Sequence, residues 1–201
     1  MSFQIYLASR SPRRRELLRQ VGVSFELLPT DVAEVPRPGQ SAADYVVATA
    51  LAKARAGAAS AITPRPVLGA DTDVVVDGEI LGQPGGRDDA IAMLLRLSNR
   101  THEVYSGIAV VNGAREQTAL SVTRVSFGPV TPDQAGAYWD SGEPAGKAGA
   151  YAIQGLGARL VSAIAGSYSG VVGLPLYETC ELLAAFGIEV PPRPPGAGAK
   201  P

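Results

Sequence analysis

The sequence predicts an α/β domain built on a mixed sheet. Three observations carry that prediction. Short apolar runs alternate with segments of helical periodicity along most of the chain. Two long neighbouring segments, "THEVYSGIAVVNG" and "EQTALSVTRVSFG", read as an antiparallel pair. Capping residues stand at the heads of the helical segments.

In chain order, "FQIYLA" (3–8) is a short strand leading into a helix. Ser11 is its N-cap, Pro12 suits the first helical position and Gly22 is the stop. "VSFELLP" (23–29) is a second strand. "SAADYVVATALAKARAGAASA" (41–61) is a long helix opened by Ser41 and Asp44. "PVLGADTDVVVDGEIL" (66–81) is an apolar strand that turns at Asp77-Gly78. "RDDAIAMLLRLSN" (87–99) is a helix, followed by the long pair. "TPDQAGAYWDSG" (131–142) is a helix capped by Thr131, Pro132 and Gln134. "AYAIQGLGARLVSAIAG" (150–166) reads as strand and "VGLPLYETCELLAAFG" (172–187) as a closing helix. Residues 1–190 are expected to form one domain, and "PPRPPGAGAKP" (191–201) a disordered tail.

Composition narrows the function. The chain has 201 residues and a formal net charge of −1, so no global field draws it to nucleic acid or to anionic lipid. A single cysteine, Cys180, lies in an apolar helical run and rules out an internal disulfide framework. No apolar stretch is long enough to span a bilayer and no leader pattern opens the chain, so a cytoplasmic setting without membrane contact is expected. One histidine, His102, cannot build a His-based zinc site, although it leaves a Ser-His-Asp triad formally open. Neither a G-x-x-x-x-G-K-[ST] nor a G-x-G-x-x-G motif is present.

The first helix begins with Arg13, Arg14 and Arg15, where its dipole favours negative charge. On a helical projection Arg14 falls at the centre of the stripe formed by Leu17, Leu18 and Val21. An arginine on the core side needs an anion: an internal carboxylate or a ligand phosphate. Ser9, Ser11 and the first-turn amides converge on the same spot, which favours the phosphate. Asp71 follows an apolar run to what reads as the strand's end; it is a metal ligand, a general base or a paired charge. Asp73 is expected to face solvent beside the hairpin. Glu34 lies in the loop "DVAEVPRPG", Lys53 shares a helix with Ala50 and Ala54 and reads as snorkelling, and Lys147 and Gln154 bracket "KAGAYAIQG".

Taken together, "LASRSPRRRELL", "LGADTDVVVDGEIL", "GKAGAYAIQGLGA" and "GSYSGVVGLPLYET" resemble the four signatures of the Maf family of nucleoside triphosphate pyrophosphatases, in order from about Leu7 to about Phe186. The resemblance implies an inosine-triphosphatase-like fold of two lobes around a deep cleft, commonly dimeric. It implies cleavage of a nucleoside triphosphate between the α- and β-phosphates with a divalent cation, Mg²⁺ or Mn²⁺. The "ADT" and "KAGAYAIQG" forms are similar to the dTTP/UTP branch, and modified pyrimidine nucleotides are an added expectation for the substrate range. By this match Asp71 is the proton acceptor, with Asp71 and Glu34 near the metal. Arg13, Thr72 and Gln154 fall at positions tied to substrate choice, and Ser9, Arg14, Lys53 and Lys147 in the phosphate part of the cleft. Gln83 stands where the family usually has Lys, and Gly146 where an Asp is usual, which removes one charge from the phosphate clamp. Two rivals remain: a nucleotide-binding regulator of septum formation with weak turnover, and a nucleic-acid module built on the arginine run.

Overall fold

The computed structural model describes residues 3–190, so the expected tail lies outside the described residues. The elements are β1 (Ile5–Ala8), α1 (Pro12–Gln20), β2 (Phe25–Leu27), α2 (Ala42–Ser60), β3 (Val67–Val76), β4 (Glu79–Ile80), α3 (Arg87–Leu97), β5 (Thr101–Asn112), β6 (Arg115–Phe127) and α4 (Pro132–Asp140). Two 3₁₀ turns (Ala148–Ala150 and Leu156–Leu160), β7 (Val161–Ala165), α5 (Tyr168–Val172) and α6 (Leu176–Ala185) follow.

Local chemistry sets most of these bounds. The Ser11 side chain accepts from the Arg14 amide at the start of α1. Gly22, at φ 75°, ends that helix, with Val23 N–H donating to Leu18 C=O and Gly22 N–H to Arg19 C=O in a Schellman arrangement. Thr131 and Gln134 form the expected capping box on α4. Asp77 and Gly78 both take positive φ, as a two-residue hairpin between β3 and β4 requires.

Seven strands form one mixed sheet in the order β2-β1-β3-β5-β6-β7, with β4 added to the end of β3. β1 is parallel to both β2 and β3, and the other pairs are antiparallel. The main hydrophobic cluster runs from Ile5 to Leu183. Two departures from the sequence reading stand out. Only Val161–Ala165 of 150–166 is strand; the stretch before it, rich in glycine, coils through two 3₁₀ turns instead. The closing helix starts later than expected: the short α5 ends at Val172 with Gly173 (φ 134°) as its C-cap, and α6 begins only at Leu176, with Pro175 as its N-cap.

Two features of this sheet place the site. β1 pairs with β3 only at Val67–Gly69, and β4 only at Val75 and Val76. Between them one edge of β3, at Ala70–Asp73, has no strand beside it. α2, meanwhile, lies almost on the sheet. A Cβ on Gly69 would collide with the Ala50 carbonyl and the Ala54 amide, and one on Gly107 with the backbone of Val46 and Val47. These glycines let the helix drop close enough for side chains on its inner face to reach β3.

Candidate active site

A cleft of about 680 Å³ opens at the bare edge of β3. All ten residues expected from the sequence border it: Ser9, Arg13, Arg14, Glu34, Lys53, Asp71, Thr72, Gln83, Lys147 and Gln154. Because β3 is exposed edge-on, residues from both of its faces contribute, Asp71 and Asp73 from one and Thr72 and Val74 from the other.

The floor is acidic. Asp71 sits in the middle of the ten-residue β3, opposite Gly107 of β5, and not at the strand's end as the sequence was read. The apolar run continues past it as Val74–Val76, which pair with β4 and β5. Lys53 Nζ lies 2.7 Å from Asp71 Oδ1 and 2.7 Å from Glu34 Oε1. At 8% exposure the lysine does not snorkel to solvent; it is buried between two carboxylates. A buried ammonium needs such partners, since losing them costs roughly 3–5 kcal/mol. The contact also ties the loop carrying Glu34 to the sheet.

Asp73 does not face solvent. It lines the cleft, and its carboxyl is pushed up to about 7, first by burial and then by the negative charges of Asp71 and Glu34. Tyr45 is a further cleft residue absent from the sequence reading. Its hydroxyl is pushed up to about 12 by burial and then by Asp71 and Asp73. Both had a signal. Asp73 lies two residues from Asp71, the strand repeat, and Tyr45, Thr49 and Lys53 follow one another every fourth residue on the inner face of α2.

The facing wall is cationic. Arg14 Nε donates to Gly173 C=O at 2.8 Å, and Arg13 Nε to Val172 C=O at 3.1 Å. The arginines therefore cap the C-terminal end of α5, and no carboxylate forms an ion pair with either among the described residues. Arg14 also donates from Nη1 to Ser9 Oγ at 3.5 Å, and the same oxygen accepts from the Ser11 amide at 3.1 Å. Burial lowers the affinity of both guanidinium groups for their proton, and Asp71 opposes this at Arg14. They stay charged, because a guanidinium group is not deprotonated in proteins. Thr72 Oγ1 is held by Ser106 Oγ at 3.1 Å and by Gly173 C=O at 3.4 Å.

The third side is the irregular strip 143–157. Gly149 N–H donates to Gly82 C=O at 2.8 Å, which fastens the strip beside Gln83. A Cβ on Gly146 would sit 3.8 Å from Gln83 Oε1, so the two departures from the family pattern are neighbours in space. Lys147 Nζ donates to Ala145 C=O at 3.0 Å, and burial, followed by the charge of Arg13, lowers its proton affinity. Tyr151 borders the cleft and is held from behind by His102 Nε2 at 2.9 Å. That contact disposes of a catalytic triad: the histidine is buried, and among the described residues its other nitrogen has no partner and no serine or aspartate reaches it.

The oxygen donors on the floor are the hard ligands that suit Mg²⁺ or Mn²⁺. Among the described residues no group of three acidic, histidine or cysteine side chains converges to hold an ion. The arrangement therefore fits an ion held by one or two carboxylates and completed by substrate oxygens and water.

Comparison with known proteins gives the same answer as the motifs. Residues 4–186 match the family model described as Maf-like protein. A dTTP/UTP pyrophosphatase of Methylococcus capsulatus is 51% identical over 92% of this chain and 92% of its own. One of Saccharophagus degradans is 51% identical over 94% and 91% of the two chains. A solved dITP/XTP pyrophosphatase of Mycobacterium abscessus overlaps 62% of this chain and 72% of its own, with 25% identity and a TM-score of 0.39. With the family model matched over nearly the whole described chain, and relatives at about half identity along its length, this chain belongs to the Maf-like family.

Proposed function

We propose that this chain hydrolyses dTTP and UTP, and modified pyrimidine nucleotides of the same shape, between the α- and β-phosphates to the monophosphate and pyrophosphate. One observation carries the reading: a cationic wall of Arg13, Arg14 and Lys147 stands across one cleft from an acidic floor of Asp71, Asp73 and Glu34. A triphosphate needs the first and the activation of water needs the second. The names of the half-identical relatives supply the nucleotide class.

In this reading the phosphates lie against the start of α1, where the amides, Ser9 and the guanidinium forks of Arg13 and Arg14 converge. Their Nε atoms are anchored on α5, so the forks are aimed before substrate arrives and need little reorganisation. Asp71 takes the proton of a water that attacks the α-phosphorus. The bond to the α–β bridging oxygen breaks, and pyrophosphate leaves with the charge that Lys147 and the arginines neutralise. Lys53 fixes Asp71 through Oδ1, which leaves Oδ2 as the proton acceptor. A divalent cation, when bound by Asp71 and Glu34 with the phosphates, supplies Lewis-acid polarisation of the phosphoryl oxygens. Arg13, Thr72 and Gln154 border the part of the cleft left for the base.

This reading carries a cytoplasmic setting, where nucleotide pools lie, and a homodimer, which sizing chromatography tests. No helix among the described residues is long and apolar enough to cross a membrane. The deciding experiment is pyrophosphate release over the common and modified nucleotides with Mg²⁺ or Mn²⁺. We expect dTTP and UTP to exceed ATP and GTP in kcat/KM by at least about tenfold. Orthophosphate as the product would overturn the cleavage position. Tight nucleotide binding without turnover would favour the regulator.

A further inference from the structure

Gln154 reaches the cleft from a segment with no regular structure to hold it. It lies between Ile153 and Gly155, in the coil ahead of the second 3₁₀ turn, and its side chain is exposed. Besides its local turn bonds, from Gly155 N–H to Ala152 C=O and from Ala158 N–H to Gly155 C=O, this segment is tied to α4 through one carboxylate. Glu143 Oε1 accepts from the Gly157 amide at 2.9 Å and from Tyr138 Oη at 2.6 Å, and its Oε2 accepts from the Leu156 amide at 2.9 Å. Tyr138 Oη in turn accepts from the Ala152 amide at 3.0 Å. Residues 152, 156 and 157, which flank Gln154 on both sides, are thus all hydrogen-bonded to a two-residue clamp projecting from α4 and its C-terminal turn.

The backbone is shaped to receive it. A Cβ on Gly155 would run into the Glu143 carboxylate, and one on Gly157 would stand 2.6 Å from Tyr138 Oη. The clamp is strong for its size. Tyr138 is only 6% exposed, and two amides and a phenol converge on one anion. Burial works against ionisation of Glu143, but the Tyr138 hydroxyl and the amides of Gly157 and Leu156 outweigh it and hold the carboxyl below its ordinary range. Neither residue borders the cleft, so neither is catalytic.

We infer that Glu143 and Tyr138 are positioning residues that set Gln154 against the base, so that the preference for one nucleotide over another depends on a clamp outside the cleft. The inference rests on the nucleotide reading above and on Gln154 as a base-contacting residue. It accounts for how a glycine-rich coil could discriminate between bases at all. A base-reading amide left loose by even an ångström would lose most of its selectivity.

The test compares Tyr138→Phe and Glu143→Gln with the wild type, each on dTTP, UTP, ATP and GTP, with melting curves alongside. Tyr138→Phe keeps the ring and removes only the hydroxyl, so it decides the matter even if Glu143→Gln fails to fold. We expect the kcat/KM preference for dTTP over ATP to fall about tenfold in both variants, mainly through a higher KM for dTTP. kcat should stay within about threefold of wild type. A merely structural role predicts the reverse: an equal loss on every nucleotide, tracking the melting temperature, with the preference intact. That result in the folded Tyr138→Phe protein would overturn the inference while leaving the proposed function standing. A wild type that releases no pyrophosphate from dTTP or UTP would bring down both.

Discussion

The floor and the strip of the cleft are built by opposite means. The floor is a strand: Asp71 and Asp73 sit on β3, registered residue by residue against Gly107 and Tyr105 of β5, and α2 is pressed onto them through Gly69 and Gly107. The strip 143–157 has almost no ladder. Gly146, Gly149 and Ala150 all take positive φ, and the segment is held by side chains, Glu143 and Tyr138 on one flank and His102 through Tyr151 on the other. The difference teaches a division of labour. In the proposed reading, the proton acceptor Asp71 lies on repeating hydrogen bonds, whereas Gln154 lies on a segment whose shape is set by a few replaceable contacts.

The largest effect should come from the floor. In Asp71→Asn the proton acceptor is gone, and turnover should fall by roughly a hundredfold or more. The fold should survive, because Lys53 keeps its 2.7 Å contact with Glu34 and is not left as an uncompensated buried charge. Single-turnover kinetics and a thermal melt on the same preparation check both halves. Turnover near wild type would remove Asp71 from the mechanism. A protein that no longer folds would mean that Glu34 cannot carry the ammonium alone.

The strip carries an acid sensitivity of its own, separable by mutation from that of Asp73 on the floor. Burial pushes His102 down to about 4 from an ordinary 6.5. Between those values the unfolded chain binds a proton that the folded chain refuses. The contribution of this residue to stability is therefore complete above about pH 6.5 and is lost as pH falls toward 4. The full span is worth about 3 kcal/mol. His102→Gln keeps a hydrogen-bonding partner for Tyr151 and removes the titration. Its melting temperature should fall less than that of the wild type between pH 6.5 and pH 4. Parallel curves for the two proteins would show that the histidine protonates in place.

The same contrast explains what the sequence disclosed. Helix starts, the hairpin at Asp77-Gly78 and the long β5–β6 pair were legible because they depend on local rules of capping, turn chemistry and alternation. Asp71 is legible as a working carboxylate but its depth in the strand is not, because a charge looks like the end of an apolar run. In fact a buried lysine from a helix 18 residues away in sequence allows the strand to continue through it. That pairing is tertiary and has no local signature. Nor has the anchoring of Arg13 and Arg14 on carbonyls 159 residues away, which is why the sequence leaves a carboxylate partner open for Arg14. The second half of the strip, 150–157, reads as strand in the sequence because alternating apolar residues in "AYAIQG" imitate a strand's period, while the hydrogen bonds from Ala152, Leu156 and Gly157 to Glu143 and Tyr138 are tertiary.

A third test moves to the cationic wall, which is fixed like the floor although it lies on a helix end. Arg14→Ala removes a guanidinium that touches Gly173 C=O and Ser9 Oγ and has no carboxylate ion pair. Removing it should raise KM and lower kcat/KM by about thirtyfold, the loss of one charge-assisted clamp. Melting should drop only modestly, because a half-buried cation is removed along with its two hydrogen bonds and no ion pair is broken. If the arginine served the fold alone, the ranking would invert, with a large melting loss and intact kinetics. Steady-state kinetics and melts on one variant separate the outcomes.

The smallest effect belongs to the junction of floor and strip, where Gln83 meets Gly146. Gln83 can donate a hydrogen bond to a phosphate but cannot neutralise charge. Gln83→Lys should therefore raise kcat/KM, by up to about tenfold, or about 1.4 kcal/mol of transition-state stabilisation. The gain is limited by what already stands there. Lys147 and Arg13 line the same stretch of cleft, and their mutual repulsion already contributes to the lowered proton affinity of Lys147. A third cation adds to that repulsion in the free protein. Gly146 is the position from which an acid could relieve it, since a Cβ there would stand 3.8 Å from Gln83 Oε1. Its φ of 66° makes Gly146→Asp mildly strained on its own, a conformation that aspartate tolerates better than most residues. The two substitutions should thus couple. Gly146→Asp alone should destabilise the protein slightly, Gln83→Lys alone should lower the melting point while raising kcat/KM, and the double variant should melt higher than the sum of the singles predicts. A coupling of about 0.5 kcal/mol or more in a double-mutant cycle would show that the two positions act as one unit. Strict additivity would show that Gln83 and Gly146 act independently. An unchanged kcat/KM in Gln83→Lys would show that Lys147 and the arginines complete the clamp without it.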